Sequence, residues 1–407
     1  MSSLHAEDWP QFRGPRRDGT WNESALLTNF PADGLKVSWQ TPVGRGWSSP
    51  IIASGRVFLT DVQMLRPYVK ERVLCFDEVS GNRVWYYDYE VKYPDWAYIQ
   101  EHGGGPSSTP VFHEERVYTL GPNGQLHCLN AQSGELEWRR KLNKEYRINE
   151  MSCRPSPLIE DDLLIVVTGA QPGACVLALD KHTGETVWSA LDDGISNSSP
   201  IVVDVGGTRQ LIVWSGDAIT SLNPTNGSIY WREEVKSSNN DAIATPVASG
   251  TRLLVSGLMF ELNPGKPAAQ IRWPGVNPAA RRILSNTSTA AIVGDYIYSA
   301  KSGGEFVCLD TATGNPRWET SAITNRANGA SVSVTVAGDQ AFLYTDRGDL
   351  VLARLAPDQY TELGRVHLIE PTSPFAGKKF AWSPPSFANG HIFVRNDEEL
   401  ICASLRQ

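Results

Sequence analysis

Glu150, Asn197 and Asp241 are hard oxygen donors, and together they would make an oxygen cage for a hard cation. Arg154, Arg326 and Lys379 would pair with the carboxylates of an anionic ligand, and Arg45 sits in an equivalent loop. Trp47 or Trp382 would stack on a flat ring. His102 and Asn286 complete the set of polar loop residues. The competing reading is ordinary: loops are polar because they are wet, Asn and Asp cap turns, and a lone His is commonly a hydrogen-bonded loop residue.

Other chemistry has no matching pattern. There is no GxGxxG after a strand, no Walker loop, no GxSxG and no HExxH. His113-Glu114-Glu115, Glu160-Asp161-Asp162 and Asn396-Asp397-Glu398-Glu399 read as solvated turns. The six cysteines have no CxxC spacing and no adjacent pair, which argues against a zinc or thioredoxin-like site. They read as small buried hydrophobes. The formal net charge is −8, so nucleic acid is not an expected partner. No apolar run approaches the length of a membrane helix. The start, MSSLHAEDW, has neither a basic n-region nor an apolar h-region, so the chain is cytosolic or its leader has been removed.

The elements that must position these residues announce themselves as a repeat. Residues 75–85 (CFDEVSGNRVW), 128–138 (CLNAQSGELEW), 178–188 (ALDKHTGETVW), 221–231 (SLNPTNGSIYW) and 308–318 (CLDTATGNPRW) share small-Leu-Asp/Asn-x-x-x-Gly-x-x-x-Trp. Residues 261–273 (ELNPGKPAAQIRW) are a degraded copy, and Trp39 ends another whose front half is missing. The structural set is therefore Trp39, Trp85, Trp138, Trp188, Trp231, Trp273 and Trp318 with Gly81, Gly134, Gly184, Gly227 and Gly314. The period of about 40–50 residues is that of a propeller blade. A Ser/Thr-Pro motif precedes each unit: SSPI at 48–51, STPV at 108–111, PSPL at 155–158, SPI at 199–201, ATPV at 244–247 and SPPS at 383–386.

Each unit then alternates as four short strands. Counting first strands gives eight units, and the last stops after three strands near residue 405. The segment 35–43 would supply its fourth strand and remove an exposed sheet edge. The expected fold is all-β: an eight-bladed β-propeller of four-stranded blades over 35–407, with residues 1–34 as an N-terminal lead packed on it. Blade seven, about 329–370, has no repeat Trp, so its limits are the least defined. The eleven loop residues above lie in segments that approach the innermost strands, at the channel mouth. The insertion 91–105, with Trp96 and Tyr98, adds a lip or a partner surface to blade one.

The motif at 178–188 resembles the tryptophan-docking repeat of the pyrroloquinoline quinone (PQQ) dehydrogenases, and the resemblance runs from about residue 36 to 405. The opening Asp8-Trp9-Pro10-Gln11-Phe12-Arg13-Gly14-Pro15 is similar to that of exported PQQ-like propellers. The resemblance implies the fold, and two kinds of activity. One is a PQQ- and Ca²⁺-dependent oxidoreductase of alcohols or sugars. The other is a non-catalytic propeller, such as the lipoprotein of the outer-membrane β-barrel assembly machine. The enzymes carry adjacent cysteines over the cofactor, and this chain has none, so their catalytic residues are not transferred. The favoured expectation is a monomeric scaffold, exported to the periplasm or cell envelope. It would bind a protein or envelope component through the mouth loops, with Trp9, Phe12, Trp21, Trp96 and Tyr98 as possible anchors. Lead packing is the competing role for the first three.

Overall fold

The computed structural model describes residues 7–102, 104–235, 242–274, 284–325 and 330–407. Eight four-stranded antiparallel sheets follow one another along the chain, and the fold is an eight-bladed β-propeller. Blades one to eight begin at Ile51, Val111, Leu158, Ile201, Val247, Ala291, Val332 and Ser386. Among the described residues, helix is limited to Leu142–Glu145 and two single 3-10 turns. Two compact units are distinguished, each with four blades: Met1–Arg140, Thr335–Leu355 and Thr361–Gln407 form the first, Lys141–Val334 and Ala356–Tyr360 the second.

Blade eight closes as the strand count requires. Val37–Pro42 pairs antiparallel with Glu399–Ser404, so a strand from the N-terminal region completes the C-terminal sheet. The seventh blade, whose limits were the least defined, proves regular, with strands Val332–Ala337, Gln340–Thr345, Asp349–Leu355 and Tyr360–His367.

The repeat works through one contact between neighbouring blades. Within the first unit, Trp39 of blade eight donates from Nε1 to the Glu78 carbonyl of blade one, and Trp85 of blade one donates to Ala131 of blade two. Within the second, Trp188 donates to Pro224, Trp273 to Thr311 and Trp318 to Ala356. Glu78, Ala131, Pro224 and Thr311 each follow the turn's Asp or Asn, while Ala356 follows Leu355 in blade seven, which lacks that residue. At Gly81 the backbone has φ +68°, and a Cβ there would stand 2.5 Å from the Trp39 ring. Glycine is thus required twice, by the left-handed backbone and by the ring lying on it. Gly134, Gly227 and Gly314 hold the same place under Trp85, Trp188 and Trp273. Gly184 also has positive φ. Trp138 packs near Tyr118 of its own blade.

Trp231 departs from the pattern. It donates at 3.0 Å to the side-chain carbonyl of Gln210 in its own blade, an oxygen that also accepts from Ser221. The degraded copy at 261–273 has Pro264-Gly265-Lys266 where the docking turn should be, so the indole turns inward. The Ser/Thr-Pro motifs serve a second contact. Their backbone amides donate to hydroxyls of the next blade's motif, as in Ser49 N–H to Thr109 Oγ1, Ser156 N–H to Ser199 Oγ and Thr245 N–H to Thr289 Oγ1.

The N-terminal lead adds backbone hydrogen bonds to several blades of the first unit. Trp9 exchanges a pair with Ile52, Pro10 accepts from Phe112, and Trp21 donates to Val336. Trp9 lies edge-on to Phe387, and Trp21 packs on Phe342 and Phe387. Both indoles are buried, which removes them as partner anchors.

The cysteines are free and buried, as their strand positions imply. Burial pushes the thiols of Cys75, Cys128, Cys175 and Cys402 up to about 12, so they are inert at neutral pH.

Candidate functional site

The loop approaching blade one is held at nearly every residue. Gly44 N–H donates to Asp61 Oδ2 at 2.5 Å. Its carbonyl accepts from Arg395. Arg45 exchanges backbone hydrogen bonds with Val62, and Gly46 N–H donates to Asp397 Oδ1. Trp47 donates from its amide to Pro106 and from Nε1 to Ser373 Oγ at 3.1 Å. Ser373 in turn donates to Asp397 Oδ2 at 2.7 Å.

Two buried charges organise this web. Asp61 is fully buried and takes both forks of Arg72, at 2.7 and 2.6 Å. Arg395 is equally buried, and its guanidinium donates to the carbonyls of Asn396, Thr60 and Gly44. Burial lowers its pKa, and the carboxylates of Asp397 and Asp61 partly offset that. The result is a rigid display of Arg45, whose half-exposed guanidinium has no side-chain partner among the described residues.

Two long connections of the first unit lie beside this loop. The segment joining blades seven and eight folds into a hairpin, Ser373–Phe375 with Lys378–Phe380. Its Phe380 stacks on Trp382 at 4.5 Å, and Phe375 meets Trp382 edge-on. The hairpin packs against the 3-10 turn Gln100–His102, and the His102 ring lies 6.4 Å from that of Trp96. Arg45, Trp47, His102, Lys379 and Trp382 are therefore all carried by approach loops of one unit. They are not arranged as an acid–base pair or a metal shell.

The second unit carries Glu150, Arg154, Asn197 and Asn286. Glu150 is exposed, and Arg154 donates from Nε to the Met151 carbonyl three residues back. The Asn197 amide donates to Ala242, and half-buried Asn286 sits in a turn. Asp241 and Arg326 lie outside the described residues, so the cage of Glu150, Asn197 and Asp241 is not seen whole. Among the described residues no group of three or more His, Cys, Asp or Glu side chains could hold a metal ion.

Several key side chains escaped the sequence reading. Glu160 is buried and takes both forks of Arg209, where a solvated turn was expected. Asp397 is a clamp rather than a free turn residue. The third is Glu71, paired across strands with Tyr89. Tyr89 donates to its Oε2, and the buried Tyr93 is a second tyrosine whose hydroxyl favours the carboxylate's charged form. The Tyr89 ring lies 4.3 Å from that of His127 in blade two. Burial raises the Glu71 pKa from 4.5 to about 7, while the two tyrosines pull it back.

The family model described as outer membrane protein assembly factor BamB, a PQQ-type repeat, matches residues 69–262 and 273–359. The chain belongs to this family. One relative, the BamB of Burkholderia pseudomallei, is 25% identical over 255 residues, covering 60% of this chain and 63% of its own length. The chain thus matches less than two thirds of that relative. In solved structures, BamB from Moraxella catarrhalis aligns at TM-score 0.61 and 14% identity, covering 91% of this chain and 97% of that one. A europium-containing methanol dehydrogenase aligns at 0.68 and 13% identity, covering 95% and 89%. At such identities the likeness is one of fold.

Proposed function

We propose that this chain is a non-catalytic propeller scaffold of the cell envelope, which binds a protein or envelope component through its approach loops. The observation that carries this reading is the BamB family match over more than half of the chain. An assembly factor works by contact with other proteins, and contact favours pre-organised loops. The clamp of Asp61, Arg72, Arg395 and Asp397 supplies that rigidity around Arg45 and Trp47. On the same ground the chain works outside the cytoplasm, in the periplasm or at the envelope.

The test is site-specific photocrosslinking in the native envelope, from a photoreactive residue at position 45 and, separately, at 150. The scaffold reading predicts a discrete, light-dependent adduct containing a second envelope protein from at least one position. Only free chain at both positions would contradict it. The competing reading is a PQQ- and Ca²⁺-dependent oxidoreductase.

A further inference from the structure

Three segments of the first unit gather five of its exposed apolar side chains in one place. Residues 64–68 link the second and third strands of blade one, 92–110 link blades one and two, and 368–385 link blades seven and eight. They touch one another. Tyr98 reaches the Pro67 carbonyl, Arg66 lies 4.3 Å from the centre of the Tyr98 ring, and the hairpin strand Ser373–Phe375 packs on Gln100–His102. Leu65, Tyr68, Trp96, Ile99 and Phe375 are between 41 and 59% exposed.

This exposure is not slackness. Tyr93, Ala97 and Phe380 of the same segments are buried, and Ser373 is fixed by Trp47 and Asp397. Rigid anchoring beneath and apolar side chains above are the features of a contact surface. The other large exposed hydrophobics, such as Val84, Leu136, Val187 and Ile229, sit on outer strands of separate blades.

Charge narrows the occupant. Segments 64–68, 92–110 and 368–385 carry Arg66, Lys92, Lys378 and Lys379 against Asp95, Glu101 and Glu370, a cationic excess in a chain of net charge −8. Arg66 stands 3.9 Å from Asp95, an exposed pair that leaves the net charge of the face as it is. An anionic bilayer is the poorer fit, because Asp95 is almost fully exposed beside Trp96 and the whole chain is acidic.

We propose that this surface docks a segment of a partner protein that presents aromatic or aliphatic side chains flanked by Asp and Glu. The proposal rests on the scaffold reading and adds a place and a partner chemistry to it. Arg66 and the lysines meet the carboxylates, and Trp96, Tyr68 and Phe375 receive the apolar side chains.

The experiment selects a displayed random peptide library on the full chain, with counter-selection on a Trp96→Ser/Phe375→Ser variant. Both side chains are exposed, and an unchanged melting temperature confirms that the variant folds. The expected peptides combine aromatic or Leu residues with Asp and Glu. They bind the variant about tenfold more weakly, and binding weakens on Lys378→Glu/Lys379→Glu and at high salt. Basic peptides, no enrichment, or equal binding to the variant would overturn the proposal. So would binding to phosphatidylglycerol vesicles that the Ser variant loses, since the occupant would then be a bilayer. Crosslinking from positions 45 and 150 reads the scaffold independently: adducts there without peptide selection sink this surface alone.

Discussion

Asp61→Ala should destabilise the chain by about 3–5 kcal/mol, the cost of breaking a buried pair by removing one partner. The carboxylate is fully buried and holds three donors, two from Arg72 and the Gly44 amide. Removing it leaves the Arg72 guanidinium, itself only 14% exposed, without its counter-charge. It also releases the loop that presents Arg45 and Trp47. Adding Arg72→Met should return much of the loss, because the stranded charge goes with it. Urea unfolding of the two single variants and the double variant measures the coupling. A cost below about 1 kcal/mol for Asp61→Ala would place the pair in solvent-like surroundings and contradict the clamp.

The second large effect depends on pH. The Glu71 carboxyl has a folded-state pKa raised from 4.5 to about 7, chiefly by burial. A raised acid is held neutral in the fold, so its contribution is complete below pH 4.5 and is lost as pH rises through about 7. At about 1.4 kcal/mol per unit, the chain should lose roughly 3 kcal/mol from this group between pH 4.5 and 8. Glu71→Gln keeps the shape and cannot ionise. The variant should match the parent within about 1 kcal/mol at pH 4.5, allowing for altered hydrogen bonds, and exceed it at pH 8. Other titrating groups cancel in the difference between the two proteins. Parallel stability curves from pH 4 to 9 would show that Glu71 does not titrate in this window.

The fold was legible because the docking contact leaves a covalent record. An indole lying 2.5 Å from where a Gly81 Cβ would be forces a glycine four residues after the turn Asp77, and the same constraint recurs from blade to blade. Strand limits were less legible. Blade one's third and fourth strands run as Val69–Asp77 and Arg83–Val91, well past the repeat, because a second set of side chains is buried there. Glu71 belongs to that extension. In VKERV it shares a face with Val69 and Val73, but between Lys70 and Arg72 it reads as part of a charged, solvated run, and only the Tyr89 hydroxyl and blade two show otherwise.

The clamp was hidden for a different reason. Asn396 to Glu399 read as a solvated turn, and the partners of Arg395 and Asp397, Gly44 and Gly46, lie some 350 residues away along the chain. No spacing rule links such positions. The loop candidates were legible as a class, since the loops that approach innermost strands follow from the repeat. Which of them converge did not follow, because convergence depends on insertions such as 91–105 that belong to no repeat.

One titration bears most directly on the claim that this propeller is a scaffold. The full chain is melted with PQQ, with Ca²⁺, and with both together. A ligand binding only the folded state at 100 times its dissociation constant adds about 2.7 kcal/mol, a readily measured rise. The scaffold account predicts a melting temperature unmoved by any of the three additions. A rise that needs PQQ and Ca²⁺ together, accompanied by PQQ-dependent oxidation of an alcohol or sugar, would contradict it and make the chain a quinoprotein.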